Sequence, residues 1–289
     1  MRFSVYQLTH KGGRDTNEDR LGYSYTRGAV LLLLADGMGG HPEGEKAAEI
    51  AIRVITRQFL AAAHPALPDP AAFLEQVVMQ ANEAIVEYAQ SRQMADNPRT
   101  TLVVAVVQDG RMTALHSGDS RLYWVRHGHV VLRSRDHSYY DKPELFPQLP
   151  NGVNRSVLFT CLGSDTAPLY DITGPLDLLP GDRLLLCSDG LWSVMHDSDL
   201  AAGLHGMPLK DAINLLCDDA VHRGGPHGDN VSLIGLEWEA GEAYQPTEVM
   251  PLSPAHPAPH DAFDDAEIER SIAEINDAIR RTAPRTRSS

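Results

Sequence analysis

Cysteine is scarce in this 289-residue chain, and its three copies, Cys161, Cys187 and Cys217, form no CxxC pair. Their number and spacing support neither a disulfide framework nor a thiolate zinc site. Basic residues are also in deficit, because 25 Lys and Arg stand against 39 Asp and Glu, a formal net charge of −14. A nucleic-acid partner requires a basic face, so this balance argues against one.

Long apolar runs are missing as well. No run approaches the ~20 residues of a membrane helix, so we expect no membrane span. Residues 1–7 alternate in polarity as a strand does and lack the apolar segment of a signal peptide. These absences predict a soluble protein of the cytoplasm, with one large domain or one domain plus a tail.

Two short apolar runs lead into an Asp-Gly pair. The run at 31–34 precedes Asp36-Gly37, and the run at 184–186 precedes Asp189-Gly190. Runs this short and this apolar are typical of strands buried on both faces. A single Asp-Gly pair is most often a solvated turn, but its recurrence after two buried strands favours two carboxylates that converge on one site.

The remaining pattern predicts an α+β fold. Helical periodicity over 42–63 and about 71–92 indicates two long amphipathic helices, and a further helix is predicted near 209–222. Asp109-Gly110 predicts a hairpin, and adjacent hairpins favour antiparallel pairing. We therefore expect two stacked antiparallel sheets flanked by helices. The regular pattern fails over about 136–163, which we interpret as an excursion from the fold.

The composition changes after Glu239, so we place the folded domain at 1–239. Prolines interrupt residues 240–263, which we predict to be a linker. The last segment, 264–289, begins with isoleucines at a/d spacing, which predicts a short amphipathic helix followed by a tail. A helix this short is marginal without a partner surface. Docking on its own domain, on a partner or on a second copy is open.

Five aspartates fall at predicted strand ends or in tight loops: Asp19, Asp36, Asp119, Asp189 and Asp229. Carboxylates brought together without counter-ions repel one another and resist ionisation, so a cluster that stays ionised implies bound cations. Oxygen ligands without cysteine or organised histidine favour Mg²⁺ or Mn²⁺ over zinc. Two such ions can activate a shared water and clamp a phosphate during in-line attack.

Six short motifs follow one another between Phe3 and Trp238. They are Arg14-x-x-Asn17-Glu18-Asp19, Ala35-Asp36-Gly37-Met38-Gly39-Gly40-His41, Thr100-Thr101, Gly118-Asp119-Ser120-Arg121, Ser188-Asp189-Gly190-Leu191-Trp192 and Asp229-Asn230. Each is weak alone, but together they resemble the metal-dependent PP2C (PPM) family of serine/threonine protein phosphatases, in its bacterial branch. The resemblance implies a central β-sandwich flanked by helices, and it makes the excursion at 136–163 a flap that shapes substrate access.

The resemblance also implies a binuclear site for Mn²⁺ or Mg²⁺ at one end of the sandwich. Asp36 would bridge both ions, and the Gly37 carbonyl would bind one of them. Asp19 would hold one ion, with Glu18 acting through the waters of that ion. Every one of these roles is carried over from the family pattern, position by position.

The same resemblance assigns the other side of the site. Asp189 and Asp229 would hold the second ion, and Asp119 would bind the weaker third ion seen in bacterial members. Arg14 would grip the substrate phosphate through its planar fork of donors. The proton donor for the leaving serine or threonine oxygen is open between His41 and a metal-bound water.

Three features depart from the family pattern. Many eukaryotic members carry His directly after the first Asp-Gly pair, where this chain has Met38. The family usually has Gly before the paired threonines, where this chain has Arg99. The flap, with Tyr139 and Tyr140, departs most, so substrate choice is the inference that transfers least.

These observations predict hydrolysis of phosphoserine and phosphothreonine on proteins by direct attack of a metal-bridging hydroxide. Phosphorylated proteins would be the substrates, and a Ser/Thr kinase would be the opposing enzyme. Two alternatives are a catalytically weak regulator that binds phosphoproteins or a kinase, and a phosphatase of small phosphoesters. Non-catalytic relatives typically lose metal acids, and none is missing from this chain.

Overall fold

The computed structural model describes residues 1–139, 141 and 157–240. They belong to the first of the two units into which the chain divides, Met1–Ala243 and Tyr244–Ser289. The predicted terminal helix, the predicted linker after residue 240 and the central part of the predicted flap lie outside the described residues.

The described residues form ten strands: β1 (Arg2–His10), β2 (Arg20–Tyr25), β3 (Ala29–Ala35), β4 (Leu102–Gln108), β5 (Arg111–Ser117), β6 (Arg121–Arg126), β7 (His129–Arg133), β8 (Asp171–Asp177), β9 (Arg183–Cys187) and β10 (Val231–Ala240). One sheet has the order β1-β10-β9-β6-β7, and the other has the order β2-β3-β4-β5-β8. Each pairing between neighbouring strands is antiparallel, as predicted.

Helices cover the outer faces of the two sheets. They are α1 (Gly44–Ala62), α2 (Pro70–Ser91), α3 (Asp189–Trp192), α4 (Asp197–Gly203) and α5 (Leu209–Gly224), followed by a 3-10 turn at Gly225–His227. One apolar cluster joins α1 and α2 to the second sheet, and another joins α3, α4 and α5 to the first. A third cluster lies between the sheets. The predicted α+β sandwich is therefore confirmed.

Strand β3 shows why its sequence is continuously apolar. Val30, Leu32 and Leu34 pack between the two sheets, whereas Leu31 and Leu33 pack against α1 and α2 on the opposite face. All seven residues of the strand are buried. Because side chains alternate between the faces of a strand, a strand in the middle of four layers has no polar face.

The two long helices begin and end within two residues of their predicted bounds. At the start of α2, the Asp69 carboxylate accepts hydrogen bonds from the backbone N–H groups of Ala71 and Ala72, at 2.9 and 3.1 Å. Pro70 is the first helical residue, where its missing N–H costs nothing. The short helices α3 and α4, of four and seven residues, are not predicted by periodicity because they are too short to establish it.

We expect Leu33→Ala to lower the free energy of unfolding by about 3 kcal/mol, because it opens a cavity in a strand packed on both faces. Leu60→Ala is the matched control, since the Leu60 side chain on α1 is 50% exposed, and its effect should stay within about 0.5 kcal/mol. Urea unfolding measures both. Equal losses in the two variants would contradict this description of the core.

Candidate metal centre

Antiparallel pairing brings acid-bearing loops to one edge of the sandwich. Arg20 at the start of β2 pairs with Ala35 at the end of β3, so the residues next to them, Asp19 and Asp36, lie side by side. The start of β10 lies beside the end of β9 in the same way. The edges of the two sheets meet here, because Ser188 Oγ after β9 donates a hydrogen bond of 2.8 Å to Asp19 Oδ2.

A cavity of about 560 Å³ opens at this edge. Asp19 is buried and close enough to Asp36 for the two carboxyl groups to interact. Asp19 and His41 are the two predicted site residues that do not line this cavity, and His41 lines a neighbouring one. The remaining predicted site residues all line the cavity: Arg14, Glu18, Asp36, Gly37, Asp119, Asp189 and Asp229.

Burial and mutual repulsion raise the pKa values of the clustered carboxyl groups. For Asp36 and Asp189, burial is the larger cause, and neighbouring carboxylates add to it, so both pKa values lie well above their usual range. Burial raises the pKa of Asp19 to about 6 and that of Asp119 to about 7. These four groups hold protons more tightly than solvated aspartates, and nearby cations would reverse that preference.

Two carboxylate oxygens at the site are buried and accept no hydrogen bond from any residue in 1–139, 141 or 157–240: Asp19 Oδ1 and Glu18 Oε2. A buried charged acceptor without a donor is costly, and a divalent cation would satisfy it. The available donors are carboxylate and carbonyl oxygens, which suit hard cations such as Mg²⁺ and Mn²⁺. The residues present therefore fit such ions.

Glycine is required where the loop after β3 passes the start of α1. A Cβ added at Gly37 would lie 2.5 Å from the carbonyl carbon of Gly44, and a Cβ added at Gly44 would lie 2.5 Å from Glu18 Oε2. The contact at Gly37 is with backbone atoms, which cannot move aside, whereas the contact at Gly44 is with the end of the Glu18 side chain, so the requirement for glycine is strict at Gly37. The two glycines thus let Glu18 lie directly against the loop that carries Asp36.

The paired threonines hold the backbone of Asp36. The hydroxyl of Thr100 and the backbone N–H of Thr101 both donate to the Asp36 carbonyl, at 2.8 and 2.9 Å. Thr101 Oγ1 also lies 2.7 Å from the hydroxyl of Ser120, which follows Asp119 in the chain. The threonine motif therefore links two of the candidate ligand loops with uncharged hydrogen bonds.

Asn230 performs a similar task that the sequence analysis did not assign. Its Nδ2 donates to the carbonyls of Lys11 and Thr16, at 2.9 Å each, and its Oδ1 accepts from the backbone N–H of Glu18 at 2.9 Å. The N-terminal acidic loop is thereby fixed to the loop that carries Asp229. The only signal in the sequence was the position of Asn230 directly after that aspartate.

The two predicted catalytic residues are placed differently. Arg14 lies at the exposed rim of the acidic cavity, where its Nη2 donates to Asp229 Oδ2 at 2.7 Å. His41 lies in the neighbouring cavity, with its Nδ1 2.8 Å from Asp96 Oδ2. Arg14 therefore lines the same cavity as the acidic residues, whereas His41 lines the adjoining cavity.

A buried ion pair supports Asp119, and the sequence analysis missed its role. Nε and Nη2 of Arg121 each donate to the Asp136 carboxylate at 2.7 Å, and both side chains are 3% exposed. The guanidinium stacks 3.6 Å from the ring centroid of Trp192, whose Nε1 donates to the Asp119 carbonyl at 3.0 Å. The pair thus connects a candidate ligand loop to the first residue of the predicted flap.

A second group of possible metal ligands lies outside the acid cluster. One ligand atom from each of His116, His137 and Asp171 lies within 4.8 Å of the others. The backbone N–H of Gly118 donates to His137 Nδ1 at 3.2 Å, so the proton of the neutral ring is on Nε2, which lies 3.2 Å from Asp171 Oδ2. Asp171 thus pairs with His137, and His116 Nε2 lies 2.8 Å from the Arg135 carbonyl, so we assign no ion to this group.

Comparison with known proteins decides the family. A model of the protein phosphatase 2C family matches residues 7–207, more than half of the sequence. This chain belongs to the protein phosphatase 2C family. The family resemblance seen in the motifs is therefore confirmed, and the αββα sandwich is the architecture of PP2C relatives with solved structures.

Three relatives illustrate the similarity. The serine/threonine protein phosphatase PstP of Mycobacterium tuberculosis is 31% identical over 231 residues, which span 76% of this PP2C chain and 42% of PstP. The structure of PppA, a regulatory component of T6SS in Pseudomonas aeruginosa, is 30% identical, covers 82% of this chain and 98% of PppA, and superposes with a TM-score of 0.68. The catalytic domain of PstP in complex with two manganese ions is 25% identical, with a TM-score of 0.67 and coverage of 82% and 99%.

No helix among the described residues of this PP2C chain is long and apolar enough to cross a membrane.

We expect Mn²⁺ to raise the melting temperature of the EDTA-treated protein by roughly 5–10 °C at a concentration of about 100 Kd, since ligand binding at that level adds about 2.7 kcal/mol. Asp36→Asn should act in two opposite directions. It should raise the melting temperature without metal, because it removes a repelled buried carboxylate, and it should remove most of the gain with Mn²⁺. Thermal unfolding with and without Mn²⁺ measures both effects.

Asp109→Asn is the control for this prediction. Asp109 lies in the β4–β5 turn with a φ of 53°, a backbone conformation that Asn tolerates, at the far ends of those strands from the acid cluster. This variant should keep the full response to Mn²⁺. An equal response in Asp36→Asn would contradict the assignment of the site.

We expect Asp136→Ala to cost about 3–5 kcal/mol of unfolding free energy, because it removes both charge-assisted hydrogen bonds of the buried Arg121 guanidinium and leaves, among the described residues, only the Asp197 carboxylate at 4.0 Å as an ion-pair partner. Asp219→Ala breaks an exposed pair with Arg223, with N···O 2.8 Å, and should stay within about 0.5 kcal/mol. The double variant Arg121→Met/Asp136→Leu should cost less than Asp136→Ala alone. Urea unfolding measures all three, and a double variant no more stable than Asp136→Ala would argue against the buried pair.

Proposed function

We propose that this chain hydrolyses phosphoserine and phosphothreonine on proteins, with two Mn²⁺ or Mg²⁺ ions as cofactors and room for a third. The observation that carries the proposal is the group of buried carboxylates at one edge of the sandwich, with an exposed arginine at its rim. Membership of the PP2C family supports it, as do relatives named serine/threonine phosphatases and the two manganese ions in the PstP complex.

Asp36 would contribute to the binding of both ions, and the Gly37 carbonyl would contribute to one. On one side of Asp36, Asp19 would hold one ion, with Glu18 acting through the waters of that ion. Asp189 and Asp229 would complete the other side, and Asp119 would take the third, weaker ion. When bound, the ions would turn a water into a nucleophile at neutral pH and neutralise phosphate charge. The unpartnered oxygens Asp19 Oδ1 and Glu18 Oε2 support this assignment.

Arg14 would bind the phosphate of the substrate. Its guanidinium is 56% exposed and reaches the cavity from the rim, and its fork of donors matches phosphate oxygens. Its Nη2 donates a hydrogen bond to Asp229 Oδ2. Arg14 and Asp229 are therefore adjacent, so a phosphate bound by Arg14 would lie beside a carboxylate that would hold an ion.

The reaction breaks the bond between phosphorus and the serine or threonine oxygen, and the departing oxygen needs a proton. His41 is our candidate donor, and a water held by one of the ions is the alternative. Asp96 Oδ2 lies 2.8 Å from His41 Nδ1, and this contact orients the ring. Because His41 lies in the cavity next to the acidic one, it would have to act at the boundary that the two cavities share at Met38.

Phosphorylated proteins are the proposed partners, a Ser/Thr kinase is the proposed opposing enzyme, and the cytoplasm is the proposed location. The chain spans less than half of the length of PstP, so these statements concern the protein as a whole and stay proposals. Docking of the predicted helix in 264–289 on its own domain or on a partner also stays a prediction, as does the domain division at residue 239.

We expect Asp189→Asn to lower Mn²⁺-dependent phosphate release from a phosphothreonine peptide by more than about 100-fold. Removing a residue that merely hydrogen-bonds to a metal ligand typically costs about 10- to 100-fold, and removing a ligand itself should cost more. Removal of the ions with EDTA should abolish the release, and Asp109→Asn should leave it unchanged. Turnover of the peptide is compared with that of p-nitrophenyl phosphate in the same assay.

Full activity in Asp189→Asn would contradict the proposed site. A wild-type protein that binds Mn²⁺ and the phosphopeptide without releasing phosphate would indicate the regulator instead. Turnover of the small ester with none of the peptide would indicate the phosphatase of small phosphoesters.

A further inference from the structure

A second cavity adjoins the acidic one. It has a volume of about 550 Å³, within the usual range of ligand pockets. Met38 and Leu158 line both cavities, so a ligand seated in the acidic cavity could extend into the second one. The second cavity contains none of the carboxylates of the candidate metal centre.

Arg99 is the cationic side chain that distinguishes this second cavity. It stands where the family usually has Gly, directly before Thr100 and Thr101. Its carbonyl accepts a hydrogen bond of 2.9 Å from the backbone N–H of Met38, which fixes the residue next to the loop that carries Asp36. The backbone of Arg99 is therefore fixed at the boundary of the candidate active site, and its side chain lines the second cavity.

The Arg99 side chain keeps unused hydrogen-bonding capacity. Its Nε is buried and has no acceptor in the part of the chain that the structure describes. Its Nη2 lies 3.7 Å from Asp96 Oδ1, too far for a hydrogen bond. Asp96 already binds His41 at 2.8 Å through its other oxygen. The guanidinium therefore keeps one buried N–H, at Nε, without an acceptor among the described residues, beside the Cys161 thiol with which it interacts. A planar fork of donors suits a carboxylate or a phosphate.

The surroundings favour an anion on an extended ligand. The walls combine apolar side chains such as Leu158 and Leu169 with the hydroxyls of Ser164 and Thr166, a mixture suited to a peptide with one charged group. The side chain of Arg99 is 34% exposed, so an incoming anion can reach it. Nearby carboxylates of the acidic cavity would repel the same anion and restrict it to the Arg99 side.

We propose that Arg99 is a specificity-determining residue that binds an anionic side chain of the substrate protein, close in sequence to the phosphorylated residue. The anion is the carboxylate of a glutamate or aspartate, or the phosphate of a second phosphorylated residue. This inference rests on the proposed function, because it assumes that the phosphorylated residue occupies the acidic cavity.

The test measures kcat/KM of the full chain with Mn²⁺ on phosphothreonine peptides. A single glutamate is moved through the positions on both sides of the phosphothreonine, each time against the same peptide with alanine, and a phosphoserine replaces the glutamate in a parallel series. The measured quantity is the ratio of kcat/KM between the charged and the alanine peptide. Wild type should prefer the charged peptide at one position by about tenfold, the usual value of one charge-assisted hydrogen bond.

Arg99→Gln should remove this preference, and Arg99→Lys should retain part of it, because lysine keeps the charge but loses the fork. Arg27→Gln is the matched control. Arg27 is exposed in the turn before β3, at the opposite end of that strand from Asp36. Like Arg99→Gln, the Arg27→Gln substitution removes one positive charge. Its ratio should equal that of wild type. Melting temperatures show whether each variant is folded. If Arg99→Gln does not fold, the loss of preference in Arg99→Lys is the test.

A preference that persists in Arg99→Gln, or that falls equally in Arg27→Gln, would overturn the proposal. If wild type releases no phosphate from any peptide, the proposed function fails first. Binding of the same peptides by fluorescence anisotropy then tests Arg99 separately. Weaker binding of the charged peptide by Arg99→Gln alone would support the proposal, and equal binding by all variants would overturn it. The glutamate and phosphoserine series show which anion is preferred.

Discussion

Aspartates from four loops lie together at one edge of the sandwich with little access to water, and each raises the proton affinity of its neighbours. Bringing such groups together costs free energy unless cations are present. That free energy is supplied elsewhere, by apolar burial in the three clusters that hold the four layers together. The acid cluster is therefore a strained region held in place by a strong scaffold.

The hydrogen bonds around the cluster have a common character. Thr100, Thr101 and Asn230 hold the backbones of the acidic loops with uncharged groups. They fix geometry without neutralising the carboxylates, which leaves the negative charge available for ions. Arg14, whose guanidinium donates to Asp229, lies at the rim of the cavity, where substrate would arrive. A buried lysine in the same place would have competed with the ions.

Local sequence predicts the parts of this molecule that are set by local physics. The run that becomes β3, the two long helices and the aspartates that follow buried strands all carry a periodic or positional signal. The partner of Arg121 does not, because Asp136 lies across a hairpin and the pair is defined only by tertiary packing. The same reason applies to His41, whose glycine-rich loop has no pattern that fixes the cavity it faces.

Strands β1 and β10 are neighbours in one sheet although more than two hundred residues separate them. Asp229 lies two residues before β10, so the last candidate ligand is made near the end of the domain, long after Asp19. A nascent chain leaving the ribosome cannot close the first sheet, nor complete the ion site, until nearly the whole domain has emerged. Translation itself thus keeps partial chains from acquiring the complete acid cluster.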